Sequence, residues 1–198
     1  MTDNISANMV LKMISNRNTS YKLFLMRYLI GCISKDKINF SFKELSCGMV
    51  SEAWSYYERC YERYTKNDRI FDMVQYVVDS YNELTVFSSK KSVFDFLMKS
   101  DDLRIISMLT KLIAMVQYRI LIPFVDLEEL NGLSWNAQNR RIMQLSCERE
   151  MFYRIEDKNI KINQEWITFI LSCREMLVKM VDNVIADEYE HRKNDIRR

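Results

Sequence analysis

The strongest constraint on the fold of this chain is that its 198 residues include only three glycines and one proline. Few positions can adopt a positive φ without strain, and almost every residue keeps its backbone N–H, so hydrogen-bonded helices are favoured. Because 48% of the residues are apolar, the chain can bury one sizeable core. We therefore predict a mainly α fold, with a single compact multi-helix domain.

Apolar residues recur at helical spacing along most of the chain. The spacing predicts helices over residues 4–14, 42–64, 68–84, 88–99 and 134–147, with another from residue 101 to the proline. Between Tyr21 and Cys32 apolar residues lie on nearly all sides, which predicts a central, buried helix. Ser41 and Glu44 have the spacing of a capping box and predict where the helix over 42–64 begins.

The spacing of apolar residues along the sequence changes near residue 151 from a helical to a strand-like pattern. Residues 152–155 and 160–162 are short β-prone runs on either side of a polar turn, which predicts one small β-hairpin at 151–162. Asn163 then precedes a long last helix over 163–190, and residues 191–198 form a basic tail. The helical domain thus covers 1–190 and begins with an N-terminal helix and polar break at 1–17.

The chain is poor in the residues that catalysis needs. His191 is the only histidine and has no metal-ligand spacing around it, and no CxxC pair or glycine-rich phosphate loop is present. A PD-(D/E)xK nuclease centre also needs a sheet edge, and the sequence shows no sheet to hold one. We predict no catalytic residue, no metal site and no cofactor, and therefore no enzyme.

Cysteine usage and hydropathy indicate where in the cell the protein resides. Five cysteines without paired spacing are typical of small buried side chains in a reducing compartment. The start of the chain lacks the pattern of a signal peptide. The longest apolar run, over 109–125, is interrupted by Lys111, Gln117, Arg119 and Pro123, so we expect no run of membrane-spanning length. We expect a cytoplasmic protein without membrane contact.

Two sets of residues are candidates for binding. Trp54, Tyr57, Tyr61 and Tyr64 share one helical face; a core-facing stripe is the favoured interpretation, and the tyrosines are the alternative candidates for partner contact. The net charge of +2 argues against a polybasic binder, yet local clusters could touch nucleic acid if they converge. These clusters comprise Lys90, Lys91, Arg140, Arg141, Arg192, Lys193, Arg197 and Arg198.

Six segments in a fixed order carry a resemblance. They are NTSYKLFL at 18–25, INFSFKEL at 38–45, MVSEAW at 49–54, YRILIPF at 118–124, FYRI at 152–155 and INQEW at 162–166. Together they resemble the helical N-terminal region of bacterial HNH endonuclease-like proteins, over about residues 15–190. The HNH module that follows in those proteins has no counterpart here, so no catalytic residue of the family is carried over.

The resemblance implies a role in DNA-targeting systems. The leading expectation is a non-catalytic accessory or scaffold subunit of a bacterial DNA-targeting complex, in antiphage defence, which contacts a nuclease or an SMC-like ATPase and has optional DNA contact. The alternatives are a stand-alone nucleic-acid-binding module and a truncated N-terminal domain of an HNH endonuclease. An enzyme of another type would need a buried polar cluster that the sequence does not show.

Overall fold

The structure is a computed structural model that describes residues 5–15, 19–57 and 68–196, with the side chains of the last helix described up to Tyr189. Its helices are α1 (Ala7–Ile14), α2 (Tyr21–Cys32), α3 (Phe42–Trp54), α4 (Ile70–Ser80), α5 (Lys90–Lys99), α6 (Leu103–Arg119), α7 (Trp135–Glu148) and α8 (Gln164–Ile196). Its strands are β1 (Asn39–Ser41), β2 (Tyr153–Glu156) and β3 (Asn159–Ile162), and two short 3-10 helices cover Ile122–Phe124 and Leu127–Leu130. The predicted mainly α class is confirmed.

Helix α2 lies at the centre, as predicted. Seven of its twelve residues are buried, and it packs against α1, α3, α6 and α8. A helix that is apolar on nearly all sides is buried, because other elements must cover each of its sides. The core therefore forms around α2.

Helix α3 begins where the capping box predicts and ends earlier than predicted. The Ser41 hydroxyl accepts a hydrogen bond from the Glu44 N–H at 3.1 Å. The helix ends at Trp54, because Tyr56 and Tyr57 donate to carbonyls only three residues back, in a tight turn. The prediction of a helix to about Tyr64 is wrong at this point, and residues 58–67 lie outside the described part.

The predicted hairpin is confirmed, and it belongs to a larger sheet. Strands β2 and β3 pair antiparallel, and β3 also pairs with β1, in the order β1-β3-β2. The three residues of β1 are too few for an alternating pattern to stand out. The expectation that the chain has no sheet was therefore wrong.

One buried hydroxyl joins the sheet to α6. Tyr153 is fully buried, and its hydroxyl donates to the carbonyl of Gln117 at 2.6 Å. Burial holds the pKa of Tyr153 well above its usual value, so the group remains a donor. The bond fixes β2 against the C-terminal end of α6.

Replacing Tyr153 by Phe tests this bond. We expect Tyr153→Phe to lower the free energy of unfolding by about 1–2 kcal/mol, since the Gln117 carbonyl loses its buried donor. Urea unfolding followed by circular dichroism measures the change. An unchanged midpoint would show that water or another donor replaces the hydroxyl.

Helix α6 corrects an expectation about hydropathy. By length and composition, Leu103–Phe124 could cross a membrane, with a mean hydropathy of 1.6. The expectation that no apolar run reaches this length was wrong, because few charges interrupt the helix. Its buried residues recur every three to four positions, and the helix packs against α2, α3, α4 and α7, which is the pattern of a core helix with one exposed face.

Helix α8 has a break that its near-heptad pattern does not indicate. Cys173 has non-helical backbone angles (φ −136°, ψ 25°), and the next residue, Arg174, donates from its guanidinium to the carbonyl of Ile33. The helix begins just after Asn163, as predicted, and its backbone continues to Ile196, past the predicted boundary at 190.

Candidate binding site

The four predicted basic contacts whose side chains are described lie on two different helices, α5 and α7. Lys90 is on α5, which packs on α3. Its ammonium lies 2.5 Å from a carboxylate oxygen of Glu52. Glu52 is only 9% exposed. Arg141 is on α7, which packs on β2 and α6, and it pairs with Glu129 at 2.8 Å. Two of the predicted cations therefore already hold acidic partners within the fold.

Of the other predicted basic residues, two have described side chains and four do not. Lys91 and Arg140 are exposed. The side chains of Arg192 and Lys193 lie outside the described part, although the α8 backbone runs through them, and Arg197 and Arg198 lie outside it entirely.

The aromatic stripe is core-facing where it is described. Trp54 is 2% exposed, and its indole N–H donates to the Thr85 carbonyl at 3.2 Å. Tyr57 is buried and donates its hydroxyl to Gln75. This is the interpretation that the sequence favoured for the stripe. Tyr61 and Tyr64 fall outside the described residues.

Three exposed large apolar side chains lie between the end of α6 and the first residue of α7. Leu127 is 68% exposed, Leu133 38% and Trp135 65%, and we call these three residues the Trp135 face. The Arg119 guanidinium stacks on the Trp135 ring with its carbon 4.1 Å from the ring centroid. Tryptophan and arginine are both enriched at protein interfaces.

A cavity of about 420 Å³ opens beside this face. Arg119, Ile122, Leu127, Leu130 and Gln138 line it together with residues 128, 131 and 132, and we call it the Arg119 pocket. Its walls combine three aliphatic side chains with the guanidinium of Arg119, the carboxylate of Glu128 and the amides of Asn131 and Gln138. This combination suits a ligand with an apolar part and a hydrogen-bonding group.

Local sequence builds the pocket. Pro123 lies in the first 3-10 helix, where α6 can no longer continue, and Gly132 takes the positive φ of 71° that turns the chain towards α7. The Ser134 hydroxyl then caps α7 by accepting from the Ala137 N–H at 3.4 Å. These residues place Trp135 at the first position of α7.

Gln138 holds the loop and the arginine together. Its side-chain amide donates to the carbonyls of Leu130 at 3.4 Å and Leu133 at 3.1 Å. Its amide oxygen accepts from the Arg119 Nη1 at 3.1 Å. One side chain thus fixes both the wall of the pocket and the orientation of the guanidinium.

The guanidinium of Arg119 is only partly satisfied. Its Nε and Nη2 atoms are buried without a hydrogen-bond partner. Burial lowers the pKa of Arg119 from its usual value, although an arginine remains charged at neutral pH. Both atoms are covered by surrounding side chains and are not open to the pocket.

An ion-pair cluster borders the pocket. Glu129 accepts from Arg149 at 2.8 Å and from Arg141 at 2.8 Å. The hydrogen bond from Arg149 is the largest cause that lowers the pKa of Glu129, and the bond from Arg141 adds to it. This cluster fixes the second 3-10 helix to α7 and to the segment that leads into β2.

The cluster predicts a pH effect. Because its folded pKa is lowered, Glu129 contributes stability above the ordinary pKa of a glutamate, and this contribution is lost as pH falls through the folded value. We expect Arg149→Gln to raise the pKa of Glu129 in an NMR titration. Arg140→Gln, on the exposed side of α7, is the control and should leave it unchanged. Equal shifts in both variants would contradict the assignment to direct contacts.

Three of the six segments that carry the resemblance contact one another through aromatic rings. Trp166 packs edge-on against Phe124 at 5.9 Å and Phe152 at 5.1 Å between ring centroids. A second cavity of about 670 Å³ lies here, lined in part by Arg149, Arg154 and the first turn of α8.

Over the described ranges 5–15, 19–57 and 68–196, no three His, Cys, Asp or Glu side chains are close enough together to hold a metal ion. Cys32, Cys47, Cys147 and Cys173 are free thiols. The arrangement offers binding chemistry at the Arg119 pocket.

Sequence reasoning missed this site. Arg119 enters the sequence analysis only as an interruption of an apolar run and as part of the segment at 118–124, and Trp135 is not singled out there. A usable signal is present, because Leu127 and Leu133 are large apolar residues in a turn-rich segment and Trp135 follows directly after it.

Fold and site together define a class: a mainly α protein with a three-stranded antiparallel sheet and a surface pocket of mixed apolar and cationic character. Comparison with protein-family models, curated proteins and solved structures gave no significant match.

Proposed function

We propose that this chain is a non-catalytic accessory subunit that binds a protein partner through the Trp135 face. The observation that carries the proposal is the Trp135 ring, 65% exposed and stacked on Arg119. Tryptophan and arginine supply much of the binding energy in protein interfaces, and an anchor beside a pocket is the usual arrangement. Leu127 and Leu133 extend the apolar area around this anchor.

The kind of complex to which the chain belongs is proposed from the resemblance alone. The order of the segments at 18–25, 38–45, 49–54, 118–124, 152–155 and 162–166 supports a DNA-targeting complex of bacterial antiphage defence, in the cytoplasm. The proposed partner is a nuclease or an SMC-like ATPase. The chain would contribute scaffold and contact, and the partner would act on DNA.

A stand-alone nucleic-acid-binding module is the second candidate, and the Arg119–Trp135 stack is the observation that favours it. Such a pair could stack on a base. However, the segment that carries this face also includes Asp126, Glu128 and Glu129, which repel a phosphate backbone. Lys90 and Arg141 are occupied by acids. The balance of charge therefore favours a protein partner.

Purification from native cells tests the proposal. We expect the tagged wild-type chain to retain a defined protein that the Trp135→Ala variant loses, while Phe87→Ala retains it. Phe87 is the matched control because it is an aromatic side chain that is 83% exposed, in the loop before α5. Retention by all three would contradict the role of the face, and cleavage of DNA by the purified chain alone would contradict the non-catalytic role.

A further inference from the structure

The outer face of the three-stranded sheet carries two cations side by side. The inward side chains of the strands are buried, among them Phe40, Ile155 and Ile160, so the alternate side chains point away from the core. Arg154 on β2 and Lys161 on β3 are exposed and lie directly opposite each other in the strand register. Their Cβ atoms are therefore about 5 Å apart.

This pair of like charges has no acid to offset it. Like charges directly opposite each other on neighbouring strands destabilise a sheet. Among the described residues, no carboxylate forms an ion pair with Arg154 or Lys161. On β1, the residue opposite Lys161 is the uncharged Asn39, and the next row towards the hairpin turn holds Glu156 opposite Asn159. The row of Asn39, Lys161 and Arg154 thus offers two positive charges to an external anion.

A cavity lies at one end of this row. Arg154 also lines the cavity of about 670 Å³ at the first turn of α8, and Phe124 and Trp166 give that cavity an aromatic wall. The charges in its lining balance, since the charged residues there are Arg149, Arg154, Glu150 and Glu165. The amide of Gln164 lies among them. A cavity of this size with no net charge suits an uncharged, flat ring that has hydrogen-bonding edges.

The chemistry of this surface favours nucleic acid over protein. The outward positions of the three strands are all polar, and they are Asn39, Ser41, Arg154, Glu156, Asn159 and Lys161. A protein partner would find no apolar area on this face to bury, although the core of a protein interface is apolar. Contacts with nucleic acid are polar instead, and arginine and lysine supply those to phosphates. A base that enters a cavity has to be unpaired, which selects a single strand.

We propose that the outer face of the sheet binds single-stranded nucleic acid, with two phosphates on Arg154 and Lys161 and one unpaired base in the cavity beside Phe124. The guanidinium fork of Arg154 donates two hydrogen bonds to one phosphate, and the ammonium of Lys161 pairs with the next. This site shares no residue with the Trp135 face. It therefore adds a function to the proposed protein contact and does not depend on it.

Binding of a labelled oligonucleotide at several salt concentrations tests this inference. The probe is a fluorescent oligothymidylate of about ten nucleotides, a common site size for single-strand binding, and fluorescence anisotropy with the full chain gives the dissociation constant. With two phosphates neutralised, the logarithm of the binding constant should fall with the logarithm of salt concentration at a slope of about −1.4. A fourfold rise in salt should thus weaken binding about sevenfold. Oligouridylate in a parallel titration distinguishes DNA from RNA as the source of the strand.

Matched variants separate the phosphate contacts from the base contact. Arg154→Gln and Lys161→Gln should each weaken binding and reduce the slope to about −0.7, because one phosphate contact is lost. Phe124→Leu keeps an apolar side chain but removes the ring, so it should weaken binding about fivefold and leave the slope unchanged. Lys91→Gln is the control, because it removes an exposed lysine on α5, and both values should stay as in the wild type. Circular dichroism confirms that each variant is folded.

The outcomes separate this inference from the proposed function. No binding at low salt, or binding that Arg154→Gln and Lys161→Gln leave unchanged, would overturn the phosphate site. Equal binding of the oligothymidylate when it is paired with its complement would overturn the single-strand site, because a paired base cannot enter the cavity. Tighter binding of polyglutamate would overturn it in favour of an acidic protein. Each of these results leaves the contact at the Trp135 face intact, because that face uses other residues.

Discussion

Gly48→Ala is expected to lower the free energy of unfolding by about 2–3 kcal/mol, the upper part of the range of about 1–3 kcal/mol for overpacking in a core. A Cβ at this position would lie 2.4 Å from the Tyr28 ring, which is far inside contact distance. The ring cannot easily move, because it stacks on Phe94 at 5.8 Å and its hydroxyl donates to Glu44 at 3.2 Å. The better helix propensity of alanine offsets at most about 1 kcal/mol.

Gly31→Ala is the matched control for this prediction. It is also a helical glycine, in α2, but the nearest atom to its Cβ would be the Arg27 Nη1 at 3.7 Å, an ordinary contact. We expect this variant to be neutral or more stable by up to about 1 kcal/mol. Chemical denaturation of both variants measures the difference. Equal stability of the two variants would show that α2 and α3 are not packed as closely as described.

Trp135→Ala is expected to weaken binding of the partner by about 30-fold or more, the effect of losing a hot-spot anchor of about 2 kcal/mol. The ring is 65% exposed, so the stability of the free chain should change by less than about 1 kcal/mol. Isothermal titration calorimetry with the purified partner gives the dissociation constant, and thermal unfolding gives the stability.

Phe87→Ala should bind the partner as tightly as the wild type, although it removes an aromatic residue that is even more exposed, at 83% against 65% for Trp135. A similar loss of affinity in both variants would mean that general surface hydrophobicity drives binding. A large loss of stability in Trp135→Ala would mean that the ring has a structural role.

Local signals in the sequence predict much of the fold. The Ser41 cap of α3, the start of α7 at residue 135 and the apolar surroundings of α2 each depend on neighbours along the chain, and the structure has all three. The hairpin follows from a change of period over a few residues.

Features that depend on distant residues could not be predicted in this way. Strand β1 exists because Phe40 pairs opposite Ile160, and the break at Cys173 accompanies a contact from Arg174 to Ile33. The close approach of Gly48 to Tyr28 is likewise a tertiary contact. These contacts between distant residues cannot be predicted from the spacing of residues along a single sequence.

The candidate site was not predictable for a related reason. Arg119 ends one helix and Trp135 begins another, and only the turn between them brings the guanidinium over the ring. The basic pairs at 90–91 and 140–141 were visible in the sequence, yet Lys90 and Arg141 are paired with Glu52 and Glu129 in the fold. Whether a charge is free is decided by its neighbours in space.

Site-specific photo-crosslinking in the native cell tests the central claim most directly. A benzophenone side chain at position 135 should crosslink the chain to one defined protein, and Arg119→Met in the same chain should reduce that product strongly. The same group at position 87 should give no such product. A product of equal yield from both positions, or a crosslink from position 135 only to DNA, would contradict the account.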